Sequence, residues 1–345
     1  MKLIIIFCLN LFFITNSFAG GAIIYEIAVP DNGWSSAGRA ANANDSSTIF
    51  GNPAGISNLD KVEVMIGLQP KFFSATFNSE QENIDLNEWI PGFSAFWATR
   101  IKKDFHFGIG ILSFMGMGID YGEDWAGARY VTKAGLATFD VVPAFSYRAE
   151  KNWYIGLGAD LLWGKFVQEL KTITNKKIEL SDGDFGFGWN VGLLWLASKT
   201  TRVGAKYRSQ AKFKFEFEAN GLKPSLDMYV PQEVMLSSYS ELGANWTLMA
   251  SVGWQDWSKF GNMTVNFGLL PDILDLNLKD TWHVSIGAKV KTGEYGHVTF
   301  GFAYDTSAVE DVNRTLVMPF DQQIRASVGY LLEVNKLSEL SFNLT

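Results

Sequence analysis

Cysteine is nearly absent from this 345-residue chain: the single one, Cys8, lies near the N-terminus. One cysteine permits neither an internal disulfide nor a cysteine-based zinc site. Histidine is almost as scarce, and His106, His283 and His297 are scattered without H-E-x-x-H spacing, so neither a metal nor another cofactor is expected. Positive charge is short as well. With 29 Lys and Arg against 36 Asp and Glu the net charge is -7 and the pI near 5.1, which leaves no basic footprint for nucleic acid. Charged residues reach only 19%, against roughly 25% in soluble domains. Beyond residue 19 no apolar run approaches the roughly 18 residues of a transmembrane helix.

What is abundant is apolar and aromatic: 47% hydrophobic, 14% aromatic, with 33 Gly and 12 Trp. Such a chain folds rather than staying disordered. Its mean hydropathy of +0.04 is too polar for a helical membrane bundle and rather apolar for a soluble enzyme. Residues 1–19, MKLIIIFCLNLFFITNSFA, have one basic residue, an apolar stretch and Ser17-Phe18-Ala19 as a small-x-small site. That is the pattern of a secretory signal peptide. A retained anchor is the alternative, opposed by Asn10 and by Thr15, Asn16 and Ser17. Cys8 sits inside the apolar region rather than at its end, which speaks against lipoprotein processing.

Period-two alternation fills the rest of the chain. Trp153, Ile155, Leu157, Ala159, Leu161 and Trp163 alternate with Gly156, Gly158, Asp160 and Gly164; Phe185, Phe187, Trp189, Val191, Leu193 and Trp195 alternate with Gly186, Gly188, Asn190 and Gly192. Further copies begin at Val284, Val298 and Ile324, and weaker ones near Val62, Phe93, Phe105, Thr138, Arg202, Gln232 and Trp246. This is the strand signal. A soluble sandwich would put Lys, Glu, Thr and Ser on its second face. Here apolar faces begin or end on Trp, Phe or Tyr, and the opposite faces carry Gly, Asp, Arg and Asn. That combination predicts an all-β, transmembrane antiparallel barrel with aromatic girdles, the one strand architecture that leaves no backbone bare in lipid. The links at 149–152 and 292–295 read as tight turns. Segments 78–91, 171–184, 220–231 and 269–281 read as extracellular loops.

Residues 20–60 are rich in Gly, Ala, Ser and Asn and show little alternation. They form either a loose periplasmic tail or a compact plug; small residues that pack closely, together with Ile49, Phe50 and Ile56, which need cover, favour the plug. The division expected is therefore 1–19 signal peptide, 20–60 plug and 61–345 barrel.

The stretch YEIAVPDNGWSSAGRAANANDSSTIFGNPAG, with Asn52, Pro53 and Ala54 as its Asn-Pro-Ala motif, resembles the hatch of the long-chain fatty-acid and toluene outer-membrane transporter family (FadL/TodX type). WAGARYVTKAGLATFDVVPAFSYR, TRVGAKYRS, VGWQDWSKFG and AYDTSAVEDVNRTLVMPFDQQIRASVGY resemble it in the same order. The resemblance implies a monomeric 14-stranded barrel in the outer membrane of a Gram-negative bacterium, surrounded by membrane lipid and lipopolysaccharide. Its implied work is passive, ligand-gated uptake of hydrophobic compounds, long-chain fatty acids first, with aromatic hydrocarbons as the alternative. Twelve strands are visible here, with a thirteenth at 337–344; the family's final hairpin is not, so closure is left open.

The resemblance further implies capture by outer loops, an internal pocket near the N-terminus, and a lateral exit at a kinked third strand. Trp89, Ile90, Leu269, Leu270, Ile273 and Leu274 are apolar where loops are usually polar, so they serve capture or else extend strands. Ile23, Ile24, Tyr25, Ile27 and Phe107 are pocket candidates. Arg39 pairs either with a ligand carboxylate or with an acid such as Asp160. Gly116 and Gly118 stand where the kink falls, or are merely small lumen-facing residues. No enzyme is expected. A phospholipase-like activity would need a nucleophile, base and acid, for which Ser285, His283 and Asp305 are the available set.

Overall fold

The computed structural model describes residues 25, 27–78, 83–218, 221–266, 271–318, 320–335 and 338–345. The expected signal segment 1–19 lies outside the described residues, as do Ile23, Ile24, Leu269 and Leu270. Alternating stretches become strands throughout. In chain order they are β1 Glu63–Asn78, β2 Asn83–Lys102, β3 Phe105–Leu112, β4 Gly116–Asp120, β5 Lys133–Glu150, β6 Trp153–Lys171, β7 Lys177–Leu196, β8 Thr201–Arg208 and β9 Ala211–Glu216. There follow β10 Ser225–Val230, β11 Glu233–Leu242, β12 Trp246–Gln255, β13 Asn262–Asn266, β14 Pro271–Asp275, β15 Thr281–Thr292, β16 Gly296–Asp305, β17 Gln323–Asn335 and β18 Ser338–Leu344.

A 14-stranded antiparallel sheet runs β1-β2-β3-β5-β6-β7-β8-β11-β12-β15-β16-β17-β18, with β4 paired to β5. Because β3 and β4 are two parts of one interrupted run, the thirteenth strand expected at 337–344 is β18. Among the described residues β1 pairs only with β2 and β18 only with β17, so the two edges do not meet. A second, four-stranded sheet, β14-β13-β10-β9, extends strands β8, β11, β12 and β15. At one end of the main sheet, β2–β3, β5–β6, β7–β8, β11–β12 and β15–β16 are joined by two to four residues. The other end carries the second sheet, the long hairpins and segments 121–132 and 306–322.

The two faces separate as alternation requires. On β6, Trp153, Ile155, Leu157 and Leu161 are exposed on the outer face, whereas Gly156, Gly158, Asp160 and Leu162 are not. Outward partners face each other across the ladder, Trp153 with Trp195 and Leu161 with Phe187, and the two indoles stack at 5.5 Å. The inner face is covered by residues 27–60. This segment touches β2, β3, β5, β6 and β7 through Pro53–Asn58 and β15, β16, β17 and β18 through Pro30–Trp34. One short segment can reach strands so far apart in the order only because the sheet curls round it.

Three expectations change. The four segments read as loops hold much strand: Trp89 and Ile90 lie in β2 opposite Phe72 and Lys71, residues 177–184 lie in β7, 225–230 form β10, and Ile273 and Leu274 lie in β14. Polar cross-strand pairs such as Ser74–Asn87 and Thr76–Asp85, at 2.8 and 2.9 Å, carry the hairpin ladder past the apolar zone. Phe107 does not face the interior. It shares the outer face of β3 with Phe105 and packs on Trp97 and Phe145, ring centroids 6.1 and 4.9 Å away, while His106, Gly108 and Gly110 turn inward. Arg39 finds its acid within its own segment: its guanidinium grips Asp31 through two hydrogen bonds of 2.7 Å, while Asp160 is held by Arg208 and Asn190.

Candidate functional site

The N-terminal segment is seated by backbone and small polar side chains. Asn52 donates to the carbonyls of Ala40 (2.6 Å) and Leu193 (3.0 Å) and accepts from the Ala54 N–H (3.0 Å). It thereby fastens two turns of the segment to β7. Pro53 and Ala54 lie against Gly156, where a methyl group would strike their backbone; one at Gly192 would strike Asn52 itself. Gly204 leaves the same clearance for Ala40, Gly301 for Trp34 and Gly67 for the Ala28 carbonyl. Serines complete the seat: Ser251 and Ser237 accept from Gly38 N and Ala40 N at 2.8 and 3.1 Å, and Ser94 donates to Ala28 O at 2.8 Å. Ala28, Ser35 and Ser36 are held left-handed at φ 59°, 51° and 60°, at a cost of about 1 kcal/mol or more each, which the wall contacts offset.

Beyond the segment, towards the end with the second sheet, polar side chains from successive strands join. Arg208 of β8 binds Asp140 of β5 at 2.6 Å and Asp160 of β6 at 3.3 Å, and Asn190 of β7 donates to Asp160 at 3.1 Å. The Arg208 guanidinium also stacks 3.7 Å from the Phe114 ring. Lys206 approaches Glu233 at 3.7 Å and lies 4.4 Å over Phe50. Gln255 donates to Glu233 (3.1 Å) and to the Tyr25 hydroxyl (2.8 Å). Burial pushes the Tyr25 phenol well above its ordinary range, so it stays neutral. Its ring stacks on His283 at 4.3 Å. His283 in turn meets Asp305 at 2.8 Å and Ser285 at 3.0 Å, and Arg325 pairs with Asp305.

Above this belt the interior is apolar. Leu112, Phe114, Leu136, Phe166, Phe213 and Phe215 are buried together, with Phe166 and Phe215 rings 5.5 Å apart. Here the wall is interrupted. β3 ends with Leu112 opposite Asp140 and β4 begins with Gly116 opposite Ala137, so Ser113, Phe114 and Met115 face only two residues of β5, as in a bulge. Phe114 and Met115 turn inward and are buried. Among the described residues β4 pairs with β5 alone, and β2 from Asn83 to Gly92 pairs with β1 alone. A methyl group at Gly118 would meet nothing within 4 Å, and one at Gly116 only the Leu136 carbonyl at 3.6 Å.

A family model described as outer membrane protein transport protein (OMPP1/FadL/TodX) matches residues 11–343. The chain belongs to this family. Like other OMPP1/FadL/TodX members it is an outer-membrane protein. It is 22% identical over 383 residues to a long-chain fatty acid transport protein of Escherichia coli O6:H1, covering 93% of this chain and 85% of that one. To the 47 kDa outer membrane protein of Pasteurella multocida it is 23% identical, covering 88% and 81%. The fold is that of a Pseudomonas aeruginosa FadL homologue (TM-score 0.79, 16% identity, 95% and 90% covered) and of the Ralstonia pickettii toluene transporter TbuX (TM-score 0.71, 16% identity, 93% of each chain covered).

Within this family member the expected site residues fall in different places. Asn52, Pro53, Ala54, Tyr25, Ile27 and Arg39 are buried in the seated segment. Gly116 and Gly118 begin β4 beside the interruption. Trp89, 68% exposed, and Ile273, 69% exposed, stand on strands at the elaborated end. The belt was not anticipated as a unit. Its signal was present in the sequence: single charges such as Asp140, Arg208, Glu233 and Arg325 at inward positions of otherwise alternating strands, where an ionisable side chain is costly unless paired.

Proposed function

We infer that the protein is a plugged outer-membrane barrel for passive uptake of hydrophobic compounds, with residues 20–60 as the plug and 61–345 as the barrel. The interrupted third strand carries this reading: an unpaired β4 edge lies beside the buried apolar cluster at the level where the outer face is apolar. A solute entering among the phenylalanines is drawn by burial, about 0.8 kcal/mol per CH2, and leaves sideways past Gly116 and Gly118. Trp89, Ile273 and Leu274 supply an apolar landing surface at the outer end. Fatty acids are the preferred class. Arg208 is held by Asp140 and Asp160 at 2.6 and 3.3 Å, whereas Lys206, 4.4 Å over Phe50, is paired more loosely with Glu233 at 3.7 Å and is the cation proposed to turn to a ligand carboxylate. Aromatic hydrocarbons need no such anchor. Uptake of a fluorescent long-chain fatty acid by cells carrying the protein, with toluene as competitor, tests this; uptake equal to that of barrel-free cells would sink it.

A second reading rests on one observation, the hydrogen-bonded chain Ser285–His283–Asp305. It has the order of a hydrolytic triad. Asp305, however, is shared with Arg325, the Tyr25 ring covers His283, and Ser285 is only 4% exposed. We read it as a structural cross-link. Labelling of Ser285 by a fluorophosphonate would reverse that.

A further inference from the structure

Lys206 and Arg208 share the inward face of β8 and meet three carboxylates: Asp140, Asp160 and Glu233. Acid is therefore in excess. Arg208 binds both aspartates, at 2.6 and 3.3 Å, so the surplus falls on the remaining pair, and that pair is not closed. Lys206 Nζ stands 3.7 Å from Glu233 Oε1, beyond hydrogen-bond distance. Among the described residues this ammonium donates no hydrogen bond, although Lys206 is only 4% exposed. A buried charge with its donors unspent is costly.

Gln255 of β12 keeps the two apart. Its amide nitrogen donates to Glu233 Oε2 at 3.1 Å and to the Tyr25 hydroxyl at 2.8 Å, while its oxygen accepts from the Trp257 indole at 2.9 Å. An amide held at both ends thus anchors Glu233 by the oxygen that Lys206 does not use. On its other side Lys206 lies 4.4 Å over the Phe50 ring. Phe50 belongs to the buried apolar cluster, with Phe114 5.6 Å away. The ammonium stands at the border between the charged belt and the apolar interior, with a carboxylate held just out of contact.

We propose, on the uptake reading above, that Glu233 is a specificity-determining residue: a resident carboxylate that fills the place of a ligand's carboxylate beside Lys206, loosely enough to yield it. A fatty-acid anion whose chain lies among the phenylalanines brings its carboxylate to Lys206. Glu233 turns Oε1 away and keeps its Gln255 bond through Oε2. While Glu233 is ionised the entering anion meets surplus acid, so Glu233 weakens the hold on the anion and leaves an uncharged ligand of equal length unaffected. Passage needs binding favourable enough to enter and weak enough to leave.

The test compares oleate with oleyl alcohol by titration calorimetry on the full chain in detergent, in mildly alkaline buffer where a free fatty acid is ionised. The readout is the ratio of the two affinities, which cancels losses common to both chains. E233Q keeps an acceptor for Gln255 and removes the charge. It should shift the ratio towards oleate by about ten-fold or more, because a unit charge within about 4 Å acts on the anion alone. K206M leaves Glu233 facing the ligand and should turn the preference to the alcohol. In K206M/E233M both charges become apolar, a replacement that buried pairs tolerate, and the preference should vanish. An unchanged ratio in folded E233Q, or the same ratio in K206M as in the double variant, would overturn the proposal. Circular dichroism and thermal unfolding report folding; should one single variant fail to fold, the other decides together with the double variant. Alcohol binding with a fixed ratio counts against Glu233 alone, whereas neither ligand binding to folded protein sinks the uptake reading and the role of Glu233 with it.

Discussion

Replacing Asn52 with Ala should free the N-terminal segment from the wall while leaving the wall intact. The side chain is 1% exposed and makes three hydrogen bonds. The Leu193 carbonyl belongs to β7, between β6 and β8, and keeps ladder partners nearby. The Ala40 carbonyl and the Ala54 N–H have no comparable substitute, and a buried orphan costs about 1–3 kcal/mol. The two together predict a loss of about 2–6 kcal/mol in docking free energy. At ten-fold per 1.4 kcal/mol, local opening rises at least about 30-fold. Hydrogen exchange resolved by mass spectrometry should show this acceleration across residues 38–58, with β6 and β7 unchanged. Asn52→Asp retains the acceptor for Ala54 but turns a second oxygen on the two carbonyls, so it should loosen the segment at least as much. Uptake should fall in both variants while the protein still assembles. Exchange changing less than about three-fold in both would show that docking resides elsewhere.

Arg208→Met should destabilise by about 3–5 kcal/mol, because it removes the cation that neutralises the buried Asp140 and Asp160; thermal unfolding measures this, and adding D140N should recover part of the loss. Gly301→Val puts a branched side chain into the backbone of Trp34 and Ser35 and should expel Pro30–Trp34, seen as new protease sensitivity there with the sheet retained. Gly116→Val with Gly118→Val meets open space, so melting should be unchanged while uptake drops; unchanged uptake would move the lateral exit elsewhere. Ser285→Ala should leave uptake intact and alter stability by about 1 kcal/mol, one buried hydrogen bond, and a larger loss of any esterase activity would contradict the structural reading.

Most of the wall was legible because alternation is imposed by the backbone. The stretches beginning near Val62, Phe105, Arg202, Gln232 and Trp246 became β1, β3, β8, β11 and β12. Residues Ile49, Phe50 and Ile56, read as needing cover, are buried. Phe107 misled because aromatic side chains serve both the outer face and the inner apolar cluster, and one residue of phase separates them. The hairpins beyond the apolar zone were hidden by their polar pairs, which satisfy a ladder as well as apolar ones but look like loop composition. Arg39 could be recognised as needing an acid; that Asp31, eight residues away, supplies it depends on the turn at Pro30–Trp34. That β1 and β18 do not pair with each other among the described residues was visible only as an odd strand count.

The glycines facing the N-terminal segment bear on how passage can occur. Where a gate is built of side chains, rotamer flips open it on the picosecond to nanosecond scale. At Gly67, Gly156, Gly204 and Gly301 the N-terminal segment instead meets wall main chain, and no rotamer there can swing aside. Room can be made at those points only by lifting a length of that segment off several strands at once. Such a movement is collective and belongs to the microsecond to millisecond range, so passage beneath the segment would be set by the breathing of a stretch of chain. A sideways route at β3–β4 leaves those contacts undisturbed and escapes that clock.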